Sequence, residues 1–275
     1  MDIKDVIMLL EVQICTFGIE GLRRTSQMEL PEIENVIYTI CFQNYDSEAV
    51  NFKPFSNRTD VRILEHCSTG LSVNRNFGIE NAIGDIILIA DDDLRFDIEG
   101  LNTVKTVFQE NSDLSFATFK HCGADNKVFP HHEFDFSEKE PSGYYLTSFE
   151  LAIKKSSLPK DIRFSPTLGI GSAMYGAGEE NVFLHRLRRK DLKGRFFPVV
   201  IAFHDGITTG NRKPTKSFLR SQGVWLWIRY GWMEGFIRII LDILRRKSPY
   251  IKNAYYLFRG FFKAHLLFYR DGRDR

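Results

Sequence analysis

Several features that mark other protein classes are missing from this chain. Its 275 residues contain no uninterrupted run of about 18 apolar residues, the length that a membrane-spanning helix needs. The formal net charge is only +2, so no overall field favours nucleic acid. The acidic opening Met1–Asp5 does not resemble a signal peptide. We therefore expect a globular protein with no membrane span and no nucleic-acid partner.

Cysteine is also scarce, and its placement argues against two kinds of site. The four cysteines show no paired spacing, which disfavours a zinc knuckle or a redox motif and favours a reducing compartment. They are Cys15, Cys41, Cys67 and Cys122. Cys15 and Cys41 lie in apolar runs, so we expect them to fill the core. This pattern predicts a cytoplasmic protein.

The first 215 residues alternate between strand-like and helix-like segments. Strands are predicted over 8–17, 35–42, 61–65, 86–90, 114–120, 144–153 and 196–203. Helices are predicted over 19–30, 72–82, 97–110 and 179–190. The alternation predicts an α/β fold with a mostly parallel sheet and helices on both faces. The polar, His-rich segment 121–142 is either an acceptor-binding loop or a surface excursion.

Three carboxylates, those of Asp91, Asp92 and Asp93, directly follow the apolar strand 86–90. The carboxyl ends of strands are where open α/β sheets bind ligands. Two carboxylates about 4 Å apart repel by roughly 1 kcal/mol in water and roughly 4 kcal/mol at an effective dielectric near 20. A divalent cation that also grips phosphate oxygens would offset this repulsion. The alternative is a charged turn that caps the next helix.

Residues 70–93 closely resemble the family 2 glycosyltransferases, whose nucleotide-sugar-binding fold is called GT-A. The shared pattern is a Ser-x-x-Arg-Asn-x-Gly-Ile helix, then Gly-Asp, an apolar strand and an Asp-x-Asp motif, here Ser72–Ile79 and Asp91–Asp93. The likeness extends more loosely over residues 8–210. It implies a Rossmann-like catalytic domain over residues 1–215, of the type that builds bacterial polysaccharides or capsules.

The resemblance also implies roles for individual residues. The Asp-x-Asp carboxylates of the family bind ribose and a Mn²⁺ or Mg²⁺ ion on the sugar-nucleotide diphosphate. Asp91 would then face the ribose side and contribute to the metal site, Asp93 would bind the metal, and Asp92 would do either. Arg75 matches an arginine that lies beside the nucleotide, and its fork suits a bidentate phosphate contact. The alternative for Arg75 is an exposed helical arginine with no role.

One departure from the family leaves the nucleotide base open. Many members carry Asp-Asp-Gly-Ser after the second strand, and the first acids of that run recognise the base. This chain has Gln43 and Asn44 in that place. Either amide can still hydrogen-bond a base edge, and uridine is the default nucleotide.

Glu179 and Glu180 follow a Gly-rich stretch and open the helix predicted over 179–190. Acids favour the first turn of a helix because they complement its dipole, which is the structural alternative. The pair also matches the Glu-Asp or Glu-Glu element of the family, in which one carboxylate deprotonates the acceptor hydroxyl. A positioned base is worth about 10²- to 10⁴-fold in rate. We assign Glu180 as the base and Glu179 as its support, with the reverse assignment open.

His204 follows the strand predicted over 196–203 and precedes the small residues Thr208–Gly210. A histidine at a strand end is commonly structural. Enzymes with the GT-A fold, however, often supply a histidine from just after the base-bearing helix as a further metal ligand, and this segment resembles that element. The resemblance therefore implies Asp91, Asp93 and His204 as ligands of Mn²⁺ or Mg²⁺.

Aromatic and basic residues dominate the chain from about Lys216. From Gln222 to the end, eleven Lys and Arg stand against four Asp and Glu, a local charge of +7. Apolar spacings near three and four predict an amphipathic helix over 222–245, and 255–269 repeats the composition. Such helices suit the surface of a membrane. The alternatives for this tail, residues 216–275, are a cover for the catalytic domain or a homodimer contact.

The predicted activity is metal-dependent, inverting transfer of a sugar from a nucleotide-diphosphate donor, with a UDP-sugar favoured. The acceptor would be a hydroxyl of a saccharide or of a lipid-linked molecule. A nucleotidyltransferase acting on a sugar phosphate is one rival, although segment 15–24 lacks its Gly-rich phosphate loop. A membrane-associated adaptor that kept the fold without the chemistry is the other, and the intact acids argue against it.

Overall fold

The structure is a computed structural model that describes residues 7–45, 54–124, 127–138, 140–141, 143–172, 174–206, 215–245 and 250–270. The strands are β1 (Leu10–Phe17), β2 (Val36–Gln43), β3 (Val61–His66), β4 (Ile86–Asp91), β5 (Arg95–Phe96), β6 (Phe116–Gly123), β7 (Phe134–Asp135), β8 (Leu151–Lys154) and β9 (Gly194–His204). The helices are α1 (Gly18–Ser26), α2 (Leu71–Asn81), α3 (Ile98–Glu110), α4 (Glu179–Arg189), α5 (Lys216–Arg245) and α6 (Tyr250–Arg270).

The described strands form one sheet in the order β3-β2-β1-β4-β8-β6-β9-β5, with β7 paired to β9. The pairs β1–β2, β1–β4, β2–β3 and β6–β9 are parallel. Strand β8 is antiparallel to both of its neighbours, β4 and β6, and the two-residue strands β5 and β7 are antiparallel to β9. The predicted α/β fold with a mostly parallel sheet is confirmed.

Apolar residues on both sides of the central strands let helices cover both faces of the sheet. In β4, Ile86 and Leu88 join the core beneath α1 and α3, whereas Ile87 and Ile89 join the core beneath α2 and α4. All four side chains are at most 1% exposed. A strand buried on both faces reads as a continuous apolar run, which is why this one was visible in the sequence.

Most predicted boundaries lie within three residues of the observed ones, and two predictions were wrong. The helix predicted over 19–30 ends at Ser26, because the Ser26 hydroxyl and the Gln27 N–H bond back to carbonyls of the last turn. The strand predicted over 144–153 is a strand only from Leu151. Before it, residues 148–150 form a single 3-10 turn, closed by a capping box between Thr147 and Glu150.

Two buried polar side chains of β1 hold α2 and the start of β4 in place. Gln13 donates from Nε2 to the Arg75 carbonyl at 2.9 Å. A Cβ atom at Gly78 would lie 2.2 Å from the Gln13 side chain, so only glycine lets α2 approach this closely. Glu11, fully buried, accepts the Gly84 N–H at 2.7 Å and so fixes the turn into β4.

The tail helices α5 and α6 pack against each other beside the sheet domain. Helix α5 begins at Lys216, where the composition changes; the division at residue 215 remains a prediction. Gly231, with φ 69° and ψ −170°, interrupts α5, so the helix predicted over 222–245 has a break. Before the break, Val224 packs against Leu168 and Tyr175, which lie in the Gly-rich stretch 168–178 that precedes α4.

Beyond the break, α5 packs against α6 and leaves much of its apolar surface uncovered. Ile239 of α5 lies in a buried cluster with Leu257 and Phe261 of α6. Seven apolar side chains of the two helices are 38–78% exposed: Trp232, Met233, Ile237, Ile240, Leu241, Leu244 and Phe262. Among the described helices, none combines the length and the apolar character needed to cross a bilayer.

Candidate active site

The carboxyl ends of the parallel strands bring several predicted site residues to one edge of the sheet. Gln43 ends β2, Asp91 ends β4 and His204 ends β9. Asp92 and Asp93 follow in the turn after β4. The next helix, α3, is capped by Asp97, whose side chain accepts the Gly100 N–H. The acidic triplet therefore does not serve as the helix cap that was its structural alternative.

Arg75 joins the acidic triplet to the predicted base. Its Nη1 donates to Glu179 Oε1 at 2.6 Å, and its Nη2 donates to Asp91 Oδ1 at 3.0 Å and to Ser148 Oγ at 2.7 Å. Arg75 is only 1% exposed, and a charge buried this deeply is tolerated when it is paired and hydrogen-bonded. The exposed helical arginine considered above is therefore ruled out.

The surroundings of Arg75 also differ from the phosphate contact that was expected. Both terminal nitrogens already bind protein groups, and Nε is buried without a hydrogen-bond partner among the described residues. Burial raises the pKa of Asp91, against the opposing pull of Arg75. In this geometry Arg75 holds two carboxylates in place, and a direct contact with a nucleotide remains a prediction.

Asp92 is held by two residues that the sequence analysis missed. The hydroxyl of Thr16 donates to Asp92 Oδ2 at 2.6 Å, and Arg24 Nη2 donates to the same oxygen at 2.9 Å. Thr16 lies near the carboxyl end of β1, and its position at the end of a predicted strand was an available signal. Arg24, an exposed residue of α1, carried no such signal.

Asp93 and His204 form the second polar pair at this edge. His204 Nε2 lies 3.3 Å from Asp93 Oδ2. Its hydrogen bond and charge hold the pKa of Asp93 below the usual carboxyl range. The ring of Phe149 lies 5.5 Å from the His204 ring and packs beside it. The histidine is buried, whereas the Asp93 side chain is half exposed.

The predicted metal ligands are only partly assembled. Over the part of the chain that the structure describes, no group of three or more His, Cys, Asp or Glu side chains could hold a metal ion. Asp93 supplies a carboxylate oxygen, the ligand type that suits Mn²⁺ and Mg²⁺, and His204 adds an imidazole nitrogen. Asp91 instead directs Oδ1 toward Arg75. The pair fits a cation whose other ligands come from a bound diphosphate. Thr208–Gly210 lie outside the described residues.

Glu179 and Glu180 open α4 after Gly178, whose φ of 86° gives the left-handed turn that starts the helix. Glu179 is buried against Arg75, and Asn181 Nδ2 donates to Glu180 Oε1 at 2.7 Å. Burial raises the pKa of Glu180 well above the usual carboxyl range, and the neighbouring Glu179 raises it further. A carboxylate with a raised pKa is a stronger proton acceptor near neutral pH.

Gln43 and Asn44 lie at the predicted place, but their amides are engaged within the protein. Gln43 Nε2 donates to Ser68 Oγ at 2.8 Å, and Asn44 Nδ2 donates to Glu65 Oε1 at 2.6 Å. Both side chains are buried. Two aromatic rings near them were missed: Phe17 ends β1 and is 53% exposed, and Tyr45 is 59% exposed.

A buried ionic cluster behind the site was also missed. Glu150 accepts from Lys127 Nζ at 2.6 Å and lies 2.7 Å from His121 Nδ1. The three side chains are at most 1% exposed. Glu150 closes the 3-10 turn that carries Ser148 and Phe149, the residues that contact Arg75 and His204. The cluster thus ties His121 and Lys127 to the wall of the site.

Comparisons with known proteins agree with this fold. Residues 45–165 match the model of the family described as Glycosyl transferase family 2. No curated protein matches the sequence. Crystal structures of S. aureus TarS 1–349 are similar in fold. The form in complex with UDP-GlcNAc has a TM-score of 0.57 and 15% identity, covering 97% of this chain and 88% of that chain.

Two further TarS structures agree with the first. The complex with UDP has a TM-score of 0.56 and 14% identity, with coverage of 97% and 88%. The structure described without a ligand has a TM-score of 0.53 and 15% identity, with coverage of 96% and 74%. The fold is therefore GT-A, and the family match together with this fold supports an enzyme of the family 2 glycosyltransferase type.

Proposed function

We propose that this protein is a family 2 glycosyltransferase that moves a sugar from a nucleotide-diphosphate donor to a hydroxyl of a saccharide or lipid-linked acceptor, with inversion at the anomeric carbon. The observation that carries the proposal is the bridge that Arg75 makes between Asp91 and Glu179. Asp91 belongs to the donor side and Glu179 adjoins the predicted base. One guanidinium therefore sets the distance between the two halves of the reaction.

A uridine nucleotide is the donor best supported. The TarS structures of the same fold are complexes with UDP and UDP-GlcNAc. In this chain the exposed rings of Phe17 and Tyr45 stand at the strand ends where a base would stack. Gln43 and Asn44 remain the candidates for its polar edge.

Glu180 would act as the general base. It would take the proton of the acceptor hydroxyl while the hydroxyl oxygen attacks the anomeric carbon from the face opposite the diphosphate. The bond from that carbon to the diphosphate oxygen breaks, and its electron pair leaves with the nucleoside diphosphate. Asn181 orients the Glu180 carboxylate, and Arg75 neutralises Glu179, so that the proton goes to Glu180.

Asp93 and His204 would hold Mn²⁺ or Mg²⁺, with Asp91 as the further predicted ligand. Such an ion neutralises negative charge on a departing diphosphate. The pairing with His204 keeps Asp93 ionised and ready to bind a cation, since it lowers the pKa of that carboxyl. Asp92, fixed by Thr16 and Arg24, would face the ribose.

The helical tail would lie on an anionic membrane surface, where a lipid-linked acceptor resides. Its exposed apolar side chains on α5 and α6 are accompanied by a local charge of +7 from Gln222 onward. Each basic residue near an anionic leaflet contributes about 1 kcal/mol. A homodimer contact through the same face is the competing outcome. Co-sedimentation with vesicles and light scattering distinguish membrane binding from dimer formation.

The activity is tested by incubating the purified protein with a set of nucleotide sugars and Mn²⁺ and measuring slow donor hydrolysis. We expect metal-dependent release of a nucleoside diphosphate, and its loss in Asp93→Asn. Asp161→Asn is the matched control, because Asp161 is a surface residue that pairs with Lys190. Full activity of Asp93→Asn would refute the assignment. Pyrophosphate release would indicate a nucleotidyltransferase, and no metal-dependent heat on binding UDP would indicate an adaptor.

A further inference from the structure

A cavity of about 800 Å³ lies away from the acidic edge, between α4, α5 and β7. Asn181, His185 and Arg188 line it from one face of α4, and Trp225 and Arg229 line it from α5. Its wall begins at Asn181, the residue that donates to Glu180, and follows the helix for about 10 Å at 1.5 Å per residue. The cavity therefore starts beside the predicted base and runs away from it.

Most of the charged groups of the cavity wall are paired with one another. Glu140 lies 2.5 Å from Arg188 and 3.3 Å from Arg229, and Asp135 lies 2.8 Å from Arg195. Both signs alternate along the wall, so an anionic ligand would meet carboxylates and a cationic ligand would meet guanidinium groups. Such a wall offers many hydrogen-bonding groups without a field of one sign. It suits a neutral, hydroxyl-rich ligand.

Apolar surface lies between these ion pairs. Trp225 and Ile228 line the cavity from α5, and Leu184 lines it from α4. Trp225 is partly exposed. Pockets that bind small molecules commonly combine apolar and aromatic walls with a few placed polar groups, in volumes of about 300–1,000 Å³. A sugar ring has one apolar C–H face and a polar rim, which matches both kinds of surface.

We propose that this cavity binds a neutral saccharide segment, the part of the acceptor that lies beyond the reacting hydroxyl. The proposal rests on the proposed function for the identity of its ligand, since a glycosyltransferase that extends a saccharide has a sugar chain to hold. Occupation of the cavity would hold the acceptor next to Asn181 and Glu180. The donor would remain at the carboxyl edge of the sheet.

Direct binding tests the cavity without any transfer reaction. Neutral oligosaccharides, chitotetraose and maltotetraose, are titrated against the full chain by saturation-transfer NMR, with inorganic pyrophosphate as the anionic comparison. We expect saturable binding of at least one oligosaccharide. Trp225→Leu, which keeps apolar volume against Val224 and Leu168, should weaken it at least tenfold. Trp232→Leu is the matched control, because Trp232 lies on the exposed part of α5.

A second variant covers the case in which Trp225→Leu does not fold. Ser137 is an exposed residue of the cavity wall, so Ser137→Leu narrows the cavity without touching the core. It should weaken oligosaccharide binding severalfold. Metal-dependent donor hydrolysis should stay unchanged in both variants. Absence of oligosaccharide binding, binding of pyrophosphate only, or binding retained in either folded variant would overturn the proposal. If the unmodified chain binds an oligosaccharide but shows no metal-dependent donor hydrolysis, the result would instead refute the proposed function.

Discussion

The sheet edge and the helical tail treat charged and apolar groups in opposite ways. At the edge, Arg75 and Glu179 are almost fully buried, and each is bound by protein groups already in place. In the tail, apolar side chains such as Met233 and Leu244 are 78% and 71% exposed. Groups fixed in advance stabilise developing charge without reorganising, whereas a large exposed apolar patch marks a surface that meets a partner. The contrast is consistent with the proposal that the edge performs the chemistry and that the tail meets a membrane or a partner.

Removing the predicted base should give the largest effect on the rate of sugar transfer. This effect should arise at the sheet edge and leave the tail unchanged. In Glu180→Gln the acceptor proton has no carboxylate to receive it, so transfer should fall by about 10²- to 10⁴-fold. Binding of UDP with Mn²⁺, measured by calorimetry, should be nearly unchanged. Glu138→Gln, an exposed position, is the control. Comparable transfer by Glu180→Gln, with Glu179→Gln inactive, would reverse the assignment of the two acids.

Breaking the Arg75 bridge should cause the largest loss in the free energy of unfolding. Arg75→Met leaves Glu179 and Asp91 without their cation, and loss of one partner of a buried pair costs about 3–5 kcal/mol. Chemical denaturation of the purified variant measures this change. Arg23→Met is the control, because Arg23 pairs with Glu20 on the surface of α1 and such a pair contributes about 0.5 kcal/mol or less. Equal losses in the two variants would contradict the contrast between edge and surface.

Changing the tail should affect membrane attachment and leave the chemistry intact. Met233→Gln combined with Ile237→Gln removes two exposed apolar contacts, each worth about 1 kcal/mol if buried in the interface, so binding should weaken by roughly tenfold or more. Co-sedimentation with phosphatidylglycerol vesicles measures it, and phosphatidylcholine vesicles should bind less. Val128→Gln changes an equally exposed residue outside the tail. A double variant that instead converts a dimer to a monomer on light scattering would assign this face to self-association.

The smallest expected effect is a displacement of the pH profile. Glu179 raises the pKa of Glu180, which is already raised by burial, and the base works only when deprotonated. Activity should therefore rise with pH through an unusually high carboxyl pKa. Glu179→Gln removes the like charge and lowers that pKa, so the acidic limb of kcat/KM should move to lower pH. Glu20→Gln should leave the limb in place, and a limb that moves upward in Glu179→Gln would be inconsistent with this coupling.

The sequence was sufficient for the parts of the fold that depend on local pattern. The apolar run of β4 and the acidic triplet after it are adjacent in the chain, so both could be recognised from one short stretch of sequence. The turn at residues 148–150 was missed because its apolar neighbours fit a strand equally well, and only the capping box between Thr147 and Glu150 interrupts it. The pairing of Asp92 with Arg24 was not visible because 68 residues separate them.

Arg75 also shows that contacts between residues far apart in the chain could not be predicted from the sequence. Its motif was recognised, yet its surroundings could not be, since Glu179 lies 104 residues further along the chain. The motif in the sequence identified Arg75 as a candidate site residue. Only the fold shows whether its side chain faces a ligand or two carboxylates.

The ionic cluster of Lys127, Glu150 and His121 bears on how the wall of the site moves. Pulling Lys127 away from Glu150 would separate a buried ion pair and leave the Glu150 carboxylate without its lysine, which is unfavourable. The segment that begins at Lys127 should therefore stay in place rather than open and close. Amide hydrogens around residues 147–151 should exchange slowly in the protein without ligand.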